Sequence, residues 1–497
     1  MDNGIPSRRR LRATAVVLAV LLAGCTDAVP ERHASTVSPV TAPPVPVALT
    51  TTGFRQSSGV VVSGGPSAPY DYGPTVLAEG GRYRVWWCSQ LPGAGPAGDD
   101  VLHAESDRPD GPFPDGVAVF SGRPGGFDGM HTCDPSVLRV GGRYYLYYTG
   151  AAGDHAHGNA IGVASSADGI NWQRAGGGSA ARGASREAGG PIVTASHEVE
   201  RANDYGAGQP SALYLDGWFY LMFTDTTASG AGWNGAGQFV LRARDPEFTD
   251  DVQALTAEGF RPADRSRRSR SVVDAFSADW MWVPALDAFA IAHQTAEGTT
   301  ITFWDRDFTR HPYRPVVVPG PWQEGPGLVR GPEGRAPVST SDPCGTVPID
   351  VLRATVLNPA PTGIRHFGID VSGAAGCARA DQALAVLDGF GVPSPTRTVD
   401  VVRGGVKVRV ERRSVAERIV PVVLDRRVSA VDGVPVAGTI RAQAPALRAP
   451  NGDLGLLDDR GRLWMVGPAA VAANESPVTD VSQRDWDARA VAGDLRP

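Results

Sequence analysis

The chain has 497 residues, 42% hydrophobic and 20% charged, an ordinary globular composition that excludes a fibrous or low-complexity protein. A formal net charge of −6 gives no electrostatic ground for a nucleic-acid partner. Glycine (61) and proline (41) are both abundant, which favours many short strands joined by turns over long helices.

The N-terminus reads as an export signal. Arg8, Arg9, Arg10 and Arg12 form a basic segment, residues 13–22 are apolar, and Leu22-Ala23-Gly24-Cys25 closes the run. The apolar stretch is too short to remain as a membrane span. Its closing tetrapeptide resembles the bacterial lipobox. That resemblance implies cleavage before Cys25, lipidation of its sulfur and anchoring to the outer face of the bacterial cell membrane; a plain secretory signal is the alternative. Residues 1–25 are therefore expected as a leader. Residues 26–48, with Pro39, Pro43, Pro44 and Pro46, are expected as an extended tether.

A repeated phrase then begins. Gly73-Pro74-Thr75-Val76-Leu77 is followed by Arg82-Tyr83-Arg84-Val85-Trp86-Trp87. The phrase returns as Asp134-Pro135-Ser136-Val137-Leu138 before residues 143–149, and as Gln209-Pro210-Ser211-Ala212-Leu213 before residues 217–224. Proline has no N–H for a β-ladder, so each phrase is expected to open a strand at the proline, turn at glycine and return as an aromatic, β-branched strand. Residues 101–107, 161–166 and 239–245 alternate as third strands. A degraded fourth copy places Asp279 on Asp134, Phe289 on Tyr144 and Ile291 on Leu146, with its third strand at 300–305. A fifth can open at Glu324-Gly325-Pro326. Between copies, Arg265, Arg267, Arg268 and Arg270 read as a solvated loop. Repetition of this kind predicts an all-β chain built as a five-bladed β-propeller over residues 49–375.

Beyond residue 376 the repeat is lost. Residues 381–395, 399–412 and 415–428 look strand-rich, and Arg460-Gly461 is the turn of a hairpin. This C-terminal β-rich extension, 376–497, is either an appended module or part of the blade that closes the ring. With Cys25 removed, four cysteines remain. An even number outside the cytoplasm predicts disulfides, Cys88 with Cys133 and Cys344 with Cys377.

Asp134-Pro135-Ser136-Val137, the strand after it, and Ser165 to Trp172 resemble the five-bladed propeller glycoside hydrolases of family 43 and their relatives, among them β-xylosidases, α-arabinofuranosidases and arabinanases. The resemblance covers about residues 60–375. It implies a monomeric glycosidase acting on a pentose-containing glycan through a carboxylate base, a carboxylate that orients and tunes the acid, and a Glu acid in a Glu-Gly-Pro phrase. On this reading Asp134 is the orienting residue, Asp71 the displaced base and Glu324 the acid. The third copy carries Gly208-Gln209-Pro210 where the acid is expected; Glu198, Glu200 and Asp204 lie upstream as substitutes. Tyr70, Tyr72, Gln209, Trp233, Asp279 and Trp280 are expected to bind substrate, because sugar rings stack on aromatic faces. His131, His155 and His157 lack clear ligand spacing, so no metal or cofactor is expected, with room left for a structural ion in the channel. The departures from the family pattern, Gly73, Gly208 and Gln209, support the alternative: a propeller that binds a glycan or a protein without turnover.

Overall fold

The computed structural model describes residues 45–496 apart from 97, 176–188 and 264–266. The expected leader with Cys25, most of the tether, and Arg265 lie outside the described residues. The end of the tether is docked: Val47 N donates to Pro312 O and Val47 O accepts from Arg314 N, both at 2.9 Å. No helix among the described residues is long and apolar enough to cross a membrane.

The protein is mostly β, and the repeated phrases form antiparallel meanders. The first strands of five successive meanders are Tyr72–Glu79, His131–Val140, Ala207–Leu215, Ala278–Val283 and Glu324–Arg330. They begin upstream of the prolines rather than at them. In the first, second, third and fifth, the strand passes through a β-bulge at the X-Pro dipeptide, where the register shifts between Tyr72 and Thr75, Cys133 and Ser136, Gly208 and Ser211, and Glu324 and Gly327. The bulge removes proline from the ladder, which is why a proline sits inside a strand here. The fifth meander continues through Thr346–Leu357 and Pro361–Ser372 and takes its outer strand, Thr50–Gln56, from the start of the chain. The residues after 376 contribute no strand to it.

Successive meanders are fastened by one repeated hydrogen bond. The side chain two residues after the bulge position accepts the next meander's backbone N–H: Thr75 from Val137 (3.5 Å), Ser136 from Ala212 (2.9 Å), Ser211 from Trp280 (3.3 Å) and Asp279 from Leu328 (2.7 Å). The fifth residue of this series is Gly327, where backbone pairing replaces the side chain: the last first strand runs parallel to the initial one, Val329 opposite Val76. A Cβ on Gly327 would stand 2.1 Å from Pro74 O, so only glycine permits this approach. Arg330 crosses the centre fully buried. Its Nη1 donates to Ala212 O (2.9 Å) and Trp280 O (2.8 Å) and lies 3.2 Å from Asp279 Oδ1, while Nη2 reaches Ser136 Oγ (3.0 Å) and Thr75 Oγ1 (3.3 Å). Apolar layers fill the spaces between neighbouring meanders, as where Trp280, Phe289 and Phe308 stack. The arginine-rich loop is not simply solvated, since Arg268 is buried against Asp225.

The C-terminal extension mixes helix with strand, in two copies of one design. Phe390–Pro393, Val399–Arg403 and Val406–Val410 form an antiparallel trio, followed by a helix, Arg413–Ile419. Val422–Val423 then returns parallel to the first of the trio, and Val436–Ile440 parallel to the third. Ala446–Arg448, Leu454–Leu457 and Leu463–Val466, the helix Pro468–Ala473, Val478–Asp480 and Val491–Asp494 repeat this order and these directions. Both final strands open with Val-Ala-Gly and shift register there. The two helices pack together over a shared core that includes Val415, Ile419, Ala470 and Val471.

Candidate active site

The X-Pro bulge gives the site its shape. The residue before each proline is left-handed: Gly73 (φ 56°), Asp134 (φ 49°), Gln209 (φ 51°) and Gly325 (φ 43°). Glycine adopts this conformation freely, whereas Asp134 and Gln209 hold it at a cost of about 1–2 kcal/mol each. These four residues and Ser277 line one narrow axial cavity of about 30 Å³.

Asp134 and Asp279 line this cavity, and Glu324 adjoins it as the residue before Gly325. Asp134 and Glu324 lie deep, yet solvent still reaches them. Asp134 accepts from the Tyr205 hydroxyl at 3.4 Å, and Glu324 Oε1 accepts from Gln209 Nε2 at 3.2 Å. Burial pushes the Asp134 carboxyl upward, opposed by the neighbouring His131 and by a hydrogen bond from Thr149. Burial, reinforced by the charge of Asp134, raises Glu324 to about 7, with the Gln209 bond acting in the other direction. Tyr72 stands between: burial first, then the charges of Asp99, Asp134 and Glu324, hold its phenol well above the usual range. Two carboxyl groups in one desolvated place, one of them near neutrality, form the kind of pair that divides acid and base work.

The other expected residues separate into three groups. Gln209 and Tyr72 belong to this cluster. Tyr70 sits at its edge, its hydroxyl on Asp99. Trp233 is 90% exposed on a short 3₁₀ turn, Trp233–Gly235, and meets neither carboxylate among the contacts described. Asp71 and Trp280 are elsewhere, whereas Asp279 lines the same cavity with both oxygens already engaged. Asp71 lies just before the strand that opens at Tyr72. Its Oδ1 accepts from Gly64 N (2.9 Å) and Trp87 Nε1 (2.7 Å), which places it inside the first meander rather than in the ring. Asp279 corresponds to Ser136 and not to Asp134, as the repeated N–H bond shows, and its oxygens hold Leu328 N, Ser211 and Arg330. Ser277 lines the cavity in that meander. Trp280 is wholly buried and donates to Ser211 O, so no ligand reaches it. Of the upstream acids, Glu198 accepts from Ser229 N and Arg268 N, Asp204 lies beside His157, and Glu200 is exposed.

Both disulfides are present, Cys88–Cys133 and Cys344–Cys377. Two groups of metal-ligating side chains come together among the described residues, Cys88 with Asp99 and Cys133, and His131 with Cys133 and Asp134. Each includes a disulfide sulfur, which offers no thiolate. Sequence reasoning missed Arg330 and Asp99. An arginine ending the apolar run Gly327-Leu328-Val329 was a usable signal for the first. Asp99 lies in a loop with no motif around it.

No protein-family model matches the sequence, and no curated protein matches it. Among solved structures, a family 117 glycoside hydrolase produced by the marine bacterium Zobellia galactanivorans is similar at 14% identity and a TM-score of 0.41, covering 65% of this chain and 90% of that one. An α-L-arabinofuranosidase from Podospora anserina, solved with cellotriose, is similar at 11% identity and a TM-score of 0.39, covering 66% and 99%. The catalytic domain of a Coprinopsis cinerea family 62 α-L-arabinofuranosidase is similar at 11% identity and a TM-score of 0.40, covering 66% and 98%. Likeness at this level carries no argument about chemistry, which rests on the residues themselves.

Proposed function

We propose that this protein is a five-bladed β-propeller glycosidase whose site works through Asp134 and Glu324. One observation carries the reading: a deep, solvent-reached glutamate raised to about 7 beside a second carboxylate. Glu324, protonated at neutral pH, gives its proton to the leaving glycosidic oxygen, and Asp134 keeps that proton on Glu324 by repelling its ionised form. The Asp-Pro-Ser phrase and its flanking strands favour a pentose-containing glycan as substrate. Export is supported by the two disulfides and the basic-apolar N-terminus, with lipid anchorage at Cys25 and residues 26–44 as the spacer. Residues 49–375 form the propeller and 376–497 the appended pair of small sheets.

Hydrolysis of aryl xylosides, arabinofuranosides and galactosides by the protein, with Glu324→Gln and Asp134→Asn beside it, tests the proposal. Turnover lost in both folded variants supports it. A second reading has its own observation: Gly73 and Gly208 stand where carboxylates were expected. Absence of turnover on every substrate, with glycan binding retained, establishes that reading, a propeller that holds glycan without cleaving it.

A further inference from the structure

Gly73 offers the ring no carboxylate from the first meander, and Asp71 is held by Gly64 and Trp87 within that meander. Beside the ring lies a second cavity of about 320 Å³, lined by Tyr70, Asp99, Met130, His131 and His155 among others. Asp99 is fixed in it from several sides. One of its carboxylate oxygens accepts from the Tyr70 hydroxyl, the other bonds His131 Nδ1, and its carbonyl accepts from Thr132 Oγ1 at 2.7 Å. His131 is 3% exposed, and no bond to its Nε2 is seen among the described residues. A carboxylate on Nδ1 sets the tautomer that leaves Nε2 with its lone pair. A nitrogen of this ring and a carboxylate oxygen of Asp134 lie within 4.8 Å of each other. The groups facing the imidazole are Asp99, Tyr70 and Tyr72 from the first meander, Asp134 from its own strand and His155 from the loop that follows Arg143–Ala151.

We propose that Asp99 and His131 form the general-base dyad of this site, in place of the missing first-meander carboxylate. The inference rests on the glycosidase reading above. His131 Nε2 takes a proton from a water as the water oxygen bonds to the anomeric carbon. The glycosidic C–O bond breaks, and Glu324 delivers its proton to the departing oxygen. The imidazolium and the Glu324 carboxylate then reset by exchanging one proton through solvent, so the net reaction consumes one water. Asp99 is a positioning residue that orients the ring and stabilises its cation.

Two readouts test this separately. The first needs no turnover: imidazole ¹⁵N spectra of the full protein, with diethylpyrocarbonate labelling mapped by mass spectrometry. The expected result is a protonated Nδ1, a bare Nε2 that is carbethoxylated, and loss of this tautomer preference in Asp99→Asn. A protonated or unreactive Nε2, or spectra unchanged in Asp99→Asn, overturns the dyad. The second is kinetic, on 4-nitrophenyl α-L-arabinofuranoside. His131→Gln is expected to lower kcat/KM by about 10²–10⁴-fold, with the thermal transition retained. Full activity in His131→Gln overturns the dyad. A wild-type protein inert on aryl glycosides but with the expected spectra refutes the glycosidase reading and leaves the dyad geometry standing.

Discussion

Replacing Arg330 by methionine should destabilise the protein by about 4 kcal/mol, the middle of the range for breaking a buried ion pair by removing one partner. The side chain is wholly buried and lies 3.2 Å from Asp279 Oδ1, so the variant strands a desolvated carboxylate. The carbonyls of Ala212 and Trp280 and the hydroxyls of Ser136 and Thr75 also lose a charged donor. Each such bond is worth about 1.5–3 kcal/mol taken singly, but they are made by one group and do not add. Urea unfolding of the disulfide-intact protein, followed by tryptophan fluorescence, measures the loss. The double variant Arg330→Met/Asp279→Asn should recover about 2 kcal/mol of it, because the stranded charge is gone while the hydroxyls remain unpaired. A single-variant loss under about 1 kcal/mol, or a double variant no more stable than the single, would show that Arg330 does not hold the centre together.

Glu324→Gln carries a pH signature. A carboxyl raised in the folded state from 4.5 to about 7 contributes stability that is complete below about 4.5 and is lost as pH rises through about 7, an effect of about 3 kcal/mol. The variant should therefore gain on the wild type between pH 5 and pH 8 in thermal melts; a constant difference across that window counts against a raised Glu324. Asp71→Asn is expected to lower stability while leaving the pH dependence of turnover unchanged, because the Asp71 carboxylate is engaged by Gly64 and Trp87 within the first meander. Loss of activity in Asp71→Asn at unaltered stability would restore it as the base. The double variant Cys88→Ser/Cys133→Ser, which opens a 45-residue link between the first two meanders, should cost about 4 kcal/mol in the same urea titration. A cost below about 1 kcal/mol would mean that the ring bonds alone keep these meanders in register.

The meanders were legible because their signals are local: a glycine turn, a proline just after the strand opens, and aromatic residues in the returning strand. The disulfide partners followed from where those strands begin and end. What could not be read was the register between repeats. The fourth copy lacks the proline, so Asp279 was laid on Asp134, whereas its bond to Leu328 N puts it two places further on. The same gap hid the doubled C-terminal design. Its two copies share strand order and a Val-Ala-Gly bulge but few residues, and those glycines are needed only because Asp458 and Trp464 come within 2.2 and 2.7 Å of where a Cβ would stand. Long-range contacts of this kind leave no periodicity in the chain.

The bulge sets two neighbouring positions of each repeat apart. The residue before the proline lines the cavity in a left-handed conformation; in this chain it is Gly73, Asp134, Gln209 and Gly325 in turn. The residue after the proline holds the next meander and, in three cases, Arg330. It is Thr75, Ser136 or Ser211, and a small hydroxyl is retained wherever the bond is made through a bulge. Gly73 in the first meander, Gln209 in the third and Glu324 beside the fifth therefore leave the bonds between successive meanders undisturbed. A base drawn from Asp99 in a loop and His131 at the start of a first strand fits the same logic, because the scaffold constrains where a reacting group points and not which meander provides it.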